Sequence, residues 1–345
     1  MRSRRDRPLP RVSVVVTTHN QRAYVAAAIE SALGQTFADR EVVVVDDGST
    51  DGTDAIVASL GDRVRLIRQE NQGVAGSRNT GVLNAGGELV AFLDGDDLWE
   101  PNKLAVQVEA AERYPQAGLV AVDGVLFDDA GAILGPTLFA DRIREMLGPD
   151  VALVPHRRCY GQLLHENAIS TMSQVMVRRK VLDEVGPSDR RFSLSSDCDL
   201  YLRIAAWHDF AFVPRRLVRW RYHARSASGP IHRRRLAWAT DDIAILKKQL
   251  DQAPADLVGE VRRALRDRVG RAARDAYAYG RTHERAFAAR YLLDLARRDW
   301  TRHGAVVTRL LALGVPEALA ARLGSVSRAV AGYKQRAQMR YHARQ

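Results

Sequence analysis

Short Val-rich runs alternate with amphipathic stretches along the first hundred residues. Residues 12–16 read as a buried strand, 25–33 as a helix, 41–45 as a strand and 54–60 as a helix; 64–69 read as a strand, 75–85 as a helix and 89–93 as a strand. Strand and helix alternating in this way predict parallel βαβ units in an open α/β sheet buried on both faces. Ligands of such sheets sit at the carboxyl ends of the strands, so the residues just after each strand are the informative ones. They are polar here: Thr17-Thr18-His19-Asn20, then Asp46-Asp47-Gly48-Ser49-Thr50-Asp51-Gly52-Thr53, then Asp94-Gly95-Asp96-Asp97.

Beyond Trp99 the pattern loosens. Residues 101–114 predict a helix with Pro101 near its start, 119–126 a strand, 172–177 a strand, 182–185 a short helix, and 199–207 a helix that follows Ser195-Ser196-Asp197. The Gly- and Pro-containing stretch 131–160 has no assignment. From Arg233 onward the pattern is helical: Leu257, Val258, Val261, Ala264 and Leu265 form an apolar stripe opposite Arg262, Arg263 and Arg266, and residues 287–295 form another. Gly280, midway through 276–295, predicts the turn of a helical pair. The expected organisation is a basic, disordered leader over 1–11, an α/β domain over 12–230 and a basic helical region over 231–345.

Charge follows this division. The 345 residues carry 52 Lys plus Arg against 41 Asp plus Glu, a net charge of +11 with a pI near 10.0, which by itself raises nucleic acid as a partner. Yet residues 1–230 hold 28 basic and 30 acidic side chains, a net of −2, whereas 231–345 hold 24 and 11, a net of +13. An acidic body with basic ends leaves a basic nucleic-acid-binding protein only as a remote alternative. Two cysteines, Cys159 and Cys198, exclude a disulfide framework and a multi-cysteine zinc site and fit a reducing compartment. No apolar run reaches the roughly 18 residues of a membrane helix, and the Arg-rich start is too soon interrupted by polar residues for a secretory signal. The expected location is the cytoplasm, including its face of the membrane.

The chemistry rests on the strand ends. Two carboxylates at i and i+2 around Gly95 suit a hard divalent cation that completes its shell with water and phosphate oxygens; the same triplet also reads as a polar turn capping the next helix. Ser49 to Thr53 read as a strand-to-helix turn, while the paired Asp46-Asp47 are placed to accept hydrogen bonds from a ribose hydroxyl or a base N–H.

Five segments together, in order and spacing, resemble the family 2 glycosyltransferases of the GT-A fold: Pro10-Arg11-Val12-Ser13-Val14-Val15-Val16-Thr17-Thr18-His19-Asn20, Ala28-Ile29-Glu30-Ser31-Ala32-Leu33-Gly34-Gln35-Thr36, Val43-Val44-Val45-Asp46-Asp47-Gly48-Ser49-Thr50-Asp51, Asn71-Gln72-Gly73 with Arg78-Asn79, and Leu93-Asp94-Gly95-Asp96-Asp97. The resemblance covers residues 10 to about 225. It implies a Rossmann-like, mixed and mostly parallel sheet flanked by helices, here with an α-helical C-terminal extension. It implies that Thr17 and Asp47 contact the nucleotide base and ribose, that His19 stacks on the base, that Arg78 lies near the base or diphosphate, and that Asp94 and Asp96 hold ribose and a Mn²⁺ or Mg²⁺ on the diphosphate. Ser196-Asp197-Cys198-Asp199-Leu200-Tyr201-Leu202-Arg203 is similar to the family's "ED-x-D-L-W-L-R" segment, which makes Asp197 the general base; Ser196 departs from its usual Glu. Arg219-Trp220-Arg221-Tyr222-His223-Ala224-Arg225-Ser226 resembles "Y-R-x-H-x-x-S", which places Arg221 on the phosphates and His223 with Asp94 and Asp96 on the metal.

The implied activity is inverting transfer of a sugar from a nucleotide donor, a UDP-sugar first, to a hydroxyl on a glycan, lipid-linked or polymer acceptor, as in bacterial polysaccharide or cell-envelope synthesis. A nucleotidyltransferase or other nucleotide-sugar enzyme on a related sheet is the alternative. For 231–345 two readings stand: contact with an anionic membrane surface or acceptor, and a solvated Arg-rich face or a contact between copies of the chain.

Overall fold

The computed structural model describes residues 9–137, 152–165, 167, 169–223, 232–283, 285–298, 306, 309 and 313. The chain divides into two compact units, Met1–Gly229 and Pro230–Gln345. In the first, β1 (Val12–Thr18), α1 (Val25–Leu33), β2 (Arg40–Asp46), α2 (Thr53–Ser59), β3 (Arg65–Arg68), α3 (Gly73–Asn84), β4 (Leu89–Asp94), β5 (Leu98–Trp99), α4 (Lys103–Arg113) and β6 (Ala117–Phe127) follow one another. Next come β7 (Ile133–Pro136), β8 (Ala152–Val154), α5 (His156–His165), β9 (Val175–Arg178), α6 (Arg179–Val185), α7 (Ser196–Ala205) and β10 (Asp209–Arg221). All ten strands form one sheet in the order β3-β2-β1-β4-β9-β6-β10-β5, with β7 on β6 and β8 on β10. Pairing is parallel from β3 through β4 and between β6 and β10, and antiparallel where β9 joins β4 to β6.

Every residue of β1 is buried, as a strand covered on both faces requires. Val12, Val14 and Val16 point into the core built with Val25, Ile29, Leu104 and Val108. On the opposite face α3 lies against β1 and β2. It approaches so closely that a Cβ at Gly81 would stand 2.2 Å from Val15 Cγ1.

Several predicted elements change. The stretch read as one strand over 172–177 is a 3₁₀ turn, Met172–Gln174, followed by β9; Thr171 and Gln174 make a reciprocal capping box around that turn. The helix expected to follow Asp197 begins at Ser196 and so contains it. The strand β10, between β6 and β5, has no counterpart in the sequence reading. Pro214, Arg215 and Arg216 interrupt its apolar pattern, and there its register against β6 shifts. Two strands and a helix stand at the edges of the unassigned stretch, whose residues 138–151 lie outside the described residues, as do 1–8 of the expected leader.

The second unit contains α8 (His232–Gln252), α9 (Val258–Thr282) and α10 (Arg285–Arg298), with α9 packed on both others. Val261, Ala264, Leu265, Ala272 and Ala276 are buried while Arg262, Arg263 and Arg266 are exposed. Gly280 is not a turn. It lies inside α9, where a Cβ would come within 2.6 Å of Ala288 Cβ, so the residue serves close helix contact and the break falls at His283. Among the described residues no helix is long and apolar enough to cross a membrane.

Gly81→Ala is expected to destabilise the protein by about 1–3 kcal/mol through overpacking, against a gain of up to about 1 kcal/mol in helix propensity. Urea unfolding checks this, and Val15→Ala in the same chain should recover part of the loss.

Candidate active site

Register fixes where the polar strand ends meet. Thr17 lies opposite Asp94 across β1 and β4, and Thr18 opposite Asp46 across β1 and β2. With the first residues of α3, the 170–172 segment, residues 193–197 and the end of β10, they line an open cavity of about 1210 Å³. Thr17, His19, Asp47, Arg78, Asp94, Asp96, Asp197, Arg221 and His223 all reach it.

At one end the paired carboxylates divide their work. Asp46 is fully buried and accepts from the Ser49 amide at 3.2 Å and from the Ser49 hydroxyl, which shapes the turn. Asp47 faces the cavity, its Oδ1 accepting from Gln69 Nε2 at 2.6 Å and the Gln72 amide at 2.9 Å. Those two donors fix the plane of the carboxylate. Gly48 allows the turn between them: its φ is +74°, and a Cβ would lie 2.9 Å from the Asn71 amide nitrogen. His19 Nδ1 lies 2.8 Å from the Asp47 carbonyl oxygen, an acceptor, so Nδ1 carries the proton; Nε2 then accepts from Asn20 Nδ2 at 3.0 Å. The ring is held by the turn that holds Asp47.

The next turn carries three carboxylates, each answered differently. Gly95 is confined, since a Cβ would meet Gln21 Oε1 at 2.5 Å and Thr18 Cβ at 3.0 Å. Asp94 accepts from Arg78 Nη2 at 2.9 Å and from Thr171 Oγ1 at 3.2 Å. Asp96 Oδ2 stands 3.1 Å from His223 Nε2. Asp97 turns inward, 1% exposed, and burial together with Asp96 and Asp94 pushes its carboxyl well above the usual carboxylate range. It accepts from Ser173 Oγ at 2.6 Å and from the Arg221 amide at 3.0 Å.

The residues expected on one metal have separate protein partners here. Asp96 and His223 come together, while Asp94 is held by Arg78, a buried guanidinium that requires an anion. Among the described residues no three His, Cys, Asp or Glu side chains are arranged to hold a metal ion. Asp96 and His223 nevertheless supply a carboxylate oxygen and an imidazole nitrogen at the cavity wall, a pair that fits Mn²⁺ or Mg²⁺ completing its shell from phosphate and water. Arg221, expected on phosphates, donates through Nε to the Asp96 carbonyl at 2.9 Å. Its guanidinium lies 4.3 Å from the Phe127 ring centroid and 4.8 Å from that of Tyr24. In this structure it braces the turn. Ala224, Arg225 and Ser226 of the same motif lie outside the described residues.

Across the cavity, Asp197 occupies the first turn of α7 and accepts from the Cys198 amide at 2.8 Å. Burial pushes its pKa up to about 6, against the downward pull of Arg78. Burial works against the charge on Arg78 too, but Asp94 and Asp197 outweigh it and hold its pKa above the ordinary value. One turn further, Tyr201 donates to Met172 Sδ at 3.0 Å. Asp199 and Arg203 form an ion pair at 2.9 Å along the helix.

Thr171, Ser173, Gln69 and Tyr24 are site residues that the sequence reading missed. Ser173 Oγ accepts from the Asp94 amide at 3.0 Å as it donates to Asp97, and the S/T-x-x-Q pattern at 171–174 was the available signal. Gln69 and Tyr24 carry no such signal, because their roles arise from packing between segments.

The sequence and the fold are similar to those of known proteins. The family described as Glycosyl transferase family 2 matches residues 13–186. An "uncharacterized glycosyltransferase" of Rickettsia felis is 29% identical over 238 residues, 67% of this chain and 38% of that protein. The Escherichia coli protein WfgD, a UDP-Glc:alpha-D-GlcNAc-diphosphoundecaprenol beta-1,3-glucosyltransferase, is 41% identical over 99 residues, 28% of this chain and 39% of that protein. This chain therefore spans well under half the length of either relative. Among solved structures, residues 1–349 of Staphylococcus aureus TarS in complex with UDP superpose with a TM-score of 0.63 at 18% identity, covering 97% of this chain and 92% of that one; the same protein is also solved with UDP-GlcNAc. The superposition gives the sheet and its C-terminal helices the GT-A-like fold, and the match over half of the sequence makes the chain a member of glycosyl transferase family 2.

Proposed function

We propose that the protein moves a sugar from a nucleoside-diphosphate donor, a UDP-sugar first, to a hydroxyl of a glycan or lipid-linked acceptor, inverting the anomeric carbon. The observation that carries this reading is Asp197: a half-buried carboxylate with its pKa raised to about 6, sharing one cavity with Asp47, Asp94 and Asp96. The nucleotides bound to TarS and the donor and acceptor in the name of WfgD support the choice of substrates.

In this mechanism Thr17, His19 and Asp47 hold the base and ribose, and Asp94, Asp96 and Arg78 face the diphosphate. Asp197 takes the proton of the acceptor hydroxyl as its oxygen attacks C1, while the C1–O bond breaks and its electron pair leaves on the diphosphate. A carboxylate raised to about 6 is a better base than an exposed aspartate and remains ionised at neutral pH. Mn²⁺ or Mg²⁺ held by Asp96 and His223, with Asp94 beside them, would neutralise the leaving diphosphate. A nucleotidyltransferase would not require a base at Asp197.

The second unit is assigned to the surface that carries the acceptor. Arg262, Arg263 and Arg266 are exposed while the apolar face of α9 is buried among neighbouring helices, so attraction to anionic lipid headgroups, rather than insertion, is the interaction available.

Asp197→Asn is expected to lower kcat about 10²- to 10⁴-fold with little change in UDP affinity; undiminished turnover would remove Asp197 from the mechanism. In the wild type, kcat should fall as pH drops below about 6, where the base is protonated. Stability should move the other way. The native pKa lies above the unfolded value of about 3.9, so the ionised carboxylate opposes folding as pH rises through about 6. Asp197→Asn should therefore melt higher than wild type above that pH and lose the advantage below pH ~4.

Thermal melting against a panel of nucleotide sugars with Mn²⁺ should single out one donor by a raised Tm, reduced by EDTA; a panel without any shift would overturn the donor assignment. Vesicles containing phosphatidylglycerol should pellet the protein at low salt, and Arg262→Glu/Arg263→Glu/Arg266→Glu should weaken this. Equal pelleting of the variant would end the surface assignment.

A further inference from the structure

Asp97 is shut away from the cavity, yet it is bonded to the segments that build the cavity wall. Its amide donates to the Asp94 carbonyl at 3.0 Å. Its Oδ1 receives the Arg221 amide, two residues before His223. Its Oδ2 receives Ser173 Oγ at 2.6 Å and lies 3.2 Å from Thr171 Oγ1. Each partner also holds a residue that faces the cavity. Ser173 Oγ accepts from the Asp94 amide at 3.0 Å. Thr171 Oγ1 lies 3.2 Å from Asp94 Oδ2. Arg221 Nε donates to the carbonyl of Asp96, whose carboxylate meets His223.

Burying a carboxylate opposes folding, and an apolar residue of similar size would pack this position more favourably. What Asp97 supplies is a pair of oxygens, one bonded to the Ser173 hydroxyl and the other to a strand-end amide. The three segments it joins, 94–97, 171–173 and 221–223, are far apart in sequence, and each brings something to the wall: two carboxylates, a hydroxyl and an imidazole.

We propose that Asp97 is a positioning residue that sets the spacing of Asp94, Asp96 and His223 for a cation-bound diphosphate without touching it. The inference rests on the reading of this cavity as a nucleotide-sugar site. It separates two subsites. The nucleoside end, built on Asp47, Gln69 and Gln72, shares no bond with Asp97, so loss of the carboxylate should be felt only at the diphosphate end.

Calorimetric titration of the full chain with uridine, and with UDP in the presence and absence of Mn²⁺, tests this. In Asp97→Asn the gain in UDP affinity produced by Mn²⁺ should fall at least tenfold while uridine affinity is unchanged. Ser173→Ala, which cuts the link between the Asp94 amide and Asp97, should shift the same quantity in the same direction and serves if Asp97→Asn does not fold. A Mn²⁺ gain left intact in both variants overturns the inference alone. So does a parallel fall in uridine and Mn²⁺–UDP affinity, the mark of general damage. Wild-type protein that gains nothing from Mn²⁺ would overturn the cation–diphosphate reading itself, and this inference with it.

Discussion

The structure is organised by the difficulty of keeping four carboxylates close together, three at one cavity and Asp97 buried behind its wall. Asp94, Asp96, Asp97 and Asp197 would repel one another or take up protons unless each had its own compensation. Arg78 bonds Asp94 and pulls electrostatically on Asp197; an imidazole meets Asp96; the Ser173 hydroxyl and an amide serve Asp97. Unequal compensation gives chemically identical side chains unequal properties. A cluster of like groups thereby becomes a site with distinct parts: a carboxylate turned to a guanidinium, one beside an imidazole, and a desolvated base.

Those compensating groups come from separate parts of the chain, and the sheet delivers them. Parallel pairing of β1 with β2 and β4 brings the polar ends into line. Insertion of β9 between β4 and β6 sets the 171–174 turn directly beside Asp94. Parallel pairing of β10 with β6 then brings Arg221 and His223 to the same edge. A buried polar chain secures the turn from behind. Trp99 Nε1 donates to the Ser173 carbonyl, Lys103 lies over the Trp99 ring, and Gln107 accepts from Lys103 Nζ and donates through Nε2 to the Gln174 carbonyl. Such a network specifies one arrangement because each member left unpaired would carry a desolvation penalty.

Local chemistry was legible in the sequence, and distant pairing was not. Apolar runs such as 12–16 and 89–93 announced buried strands, and the polar residues after them announced the cavity, because strand period and strand-end position are local properties. The strand β10 was hidden because its arginines occupy a bulge and a stacked position between aromatic rings, which break the apolar signature of a central strand. Gly280 misled for a related reason: a glycine without a side chain at a helix crossing looks in sequence like a glycine in a turn. Asp94, Asp96 and His223 were grouped from motif positions, whereas the bond from Arg78 to Asp94, reaching from α3, is something no spacing rule encodes.

The crowding at Gly95 has a consequence for how this cavity can diverge. The space where a side chain would grow is occupied by the end of the Gln21 side chain and by Thr18. A side chain at position 95 therefore needs the Gln21 amide to swing away and Thr18 at the end of β1 to give by a few tenths of an ångström. The middle of the acidic turn is thereby coupled to the loop beyond β1, and a graft that moves the turn carries that loop's side chains into its fit.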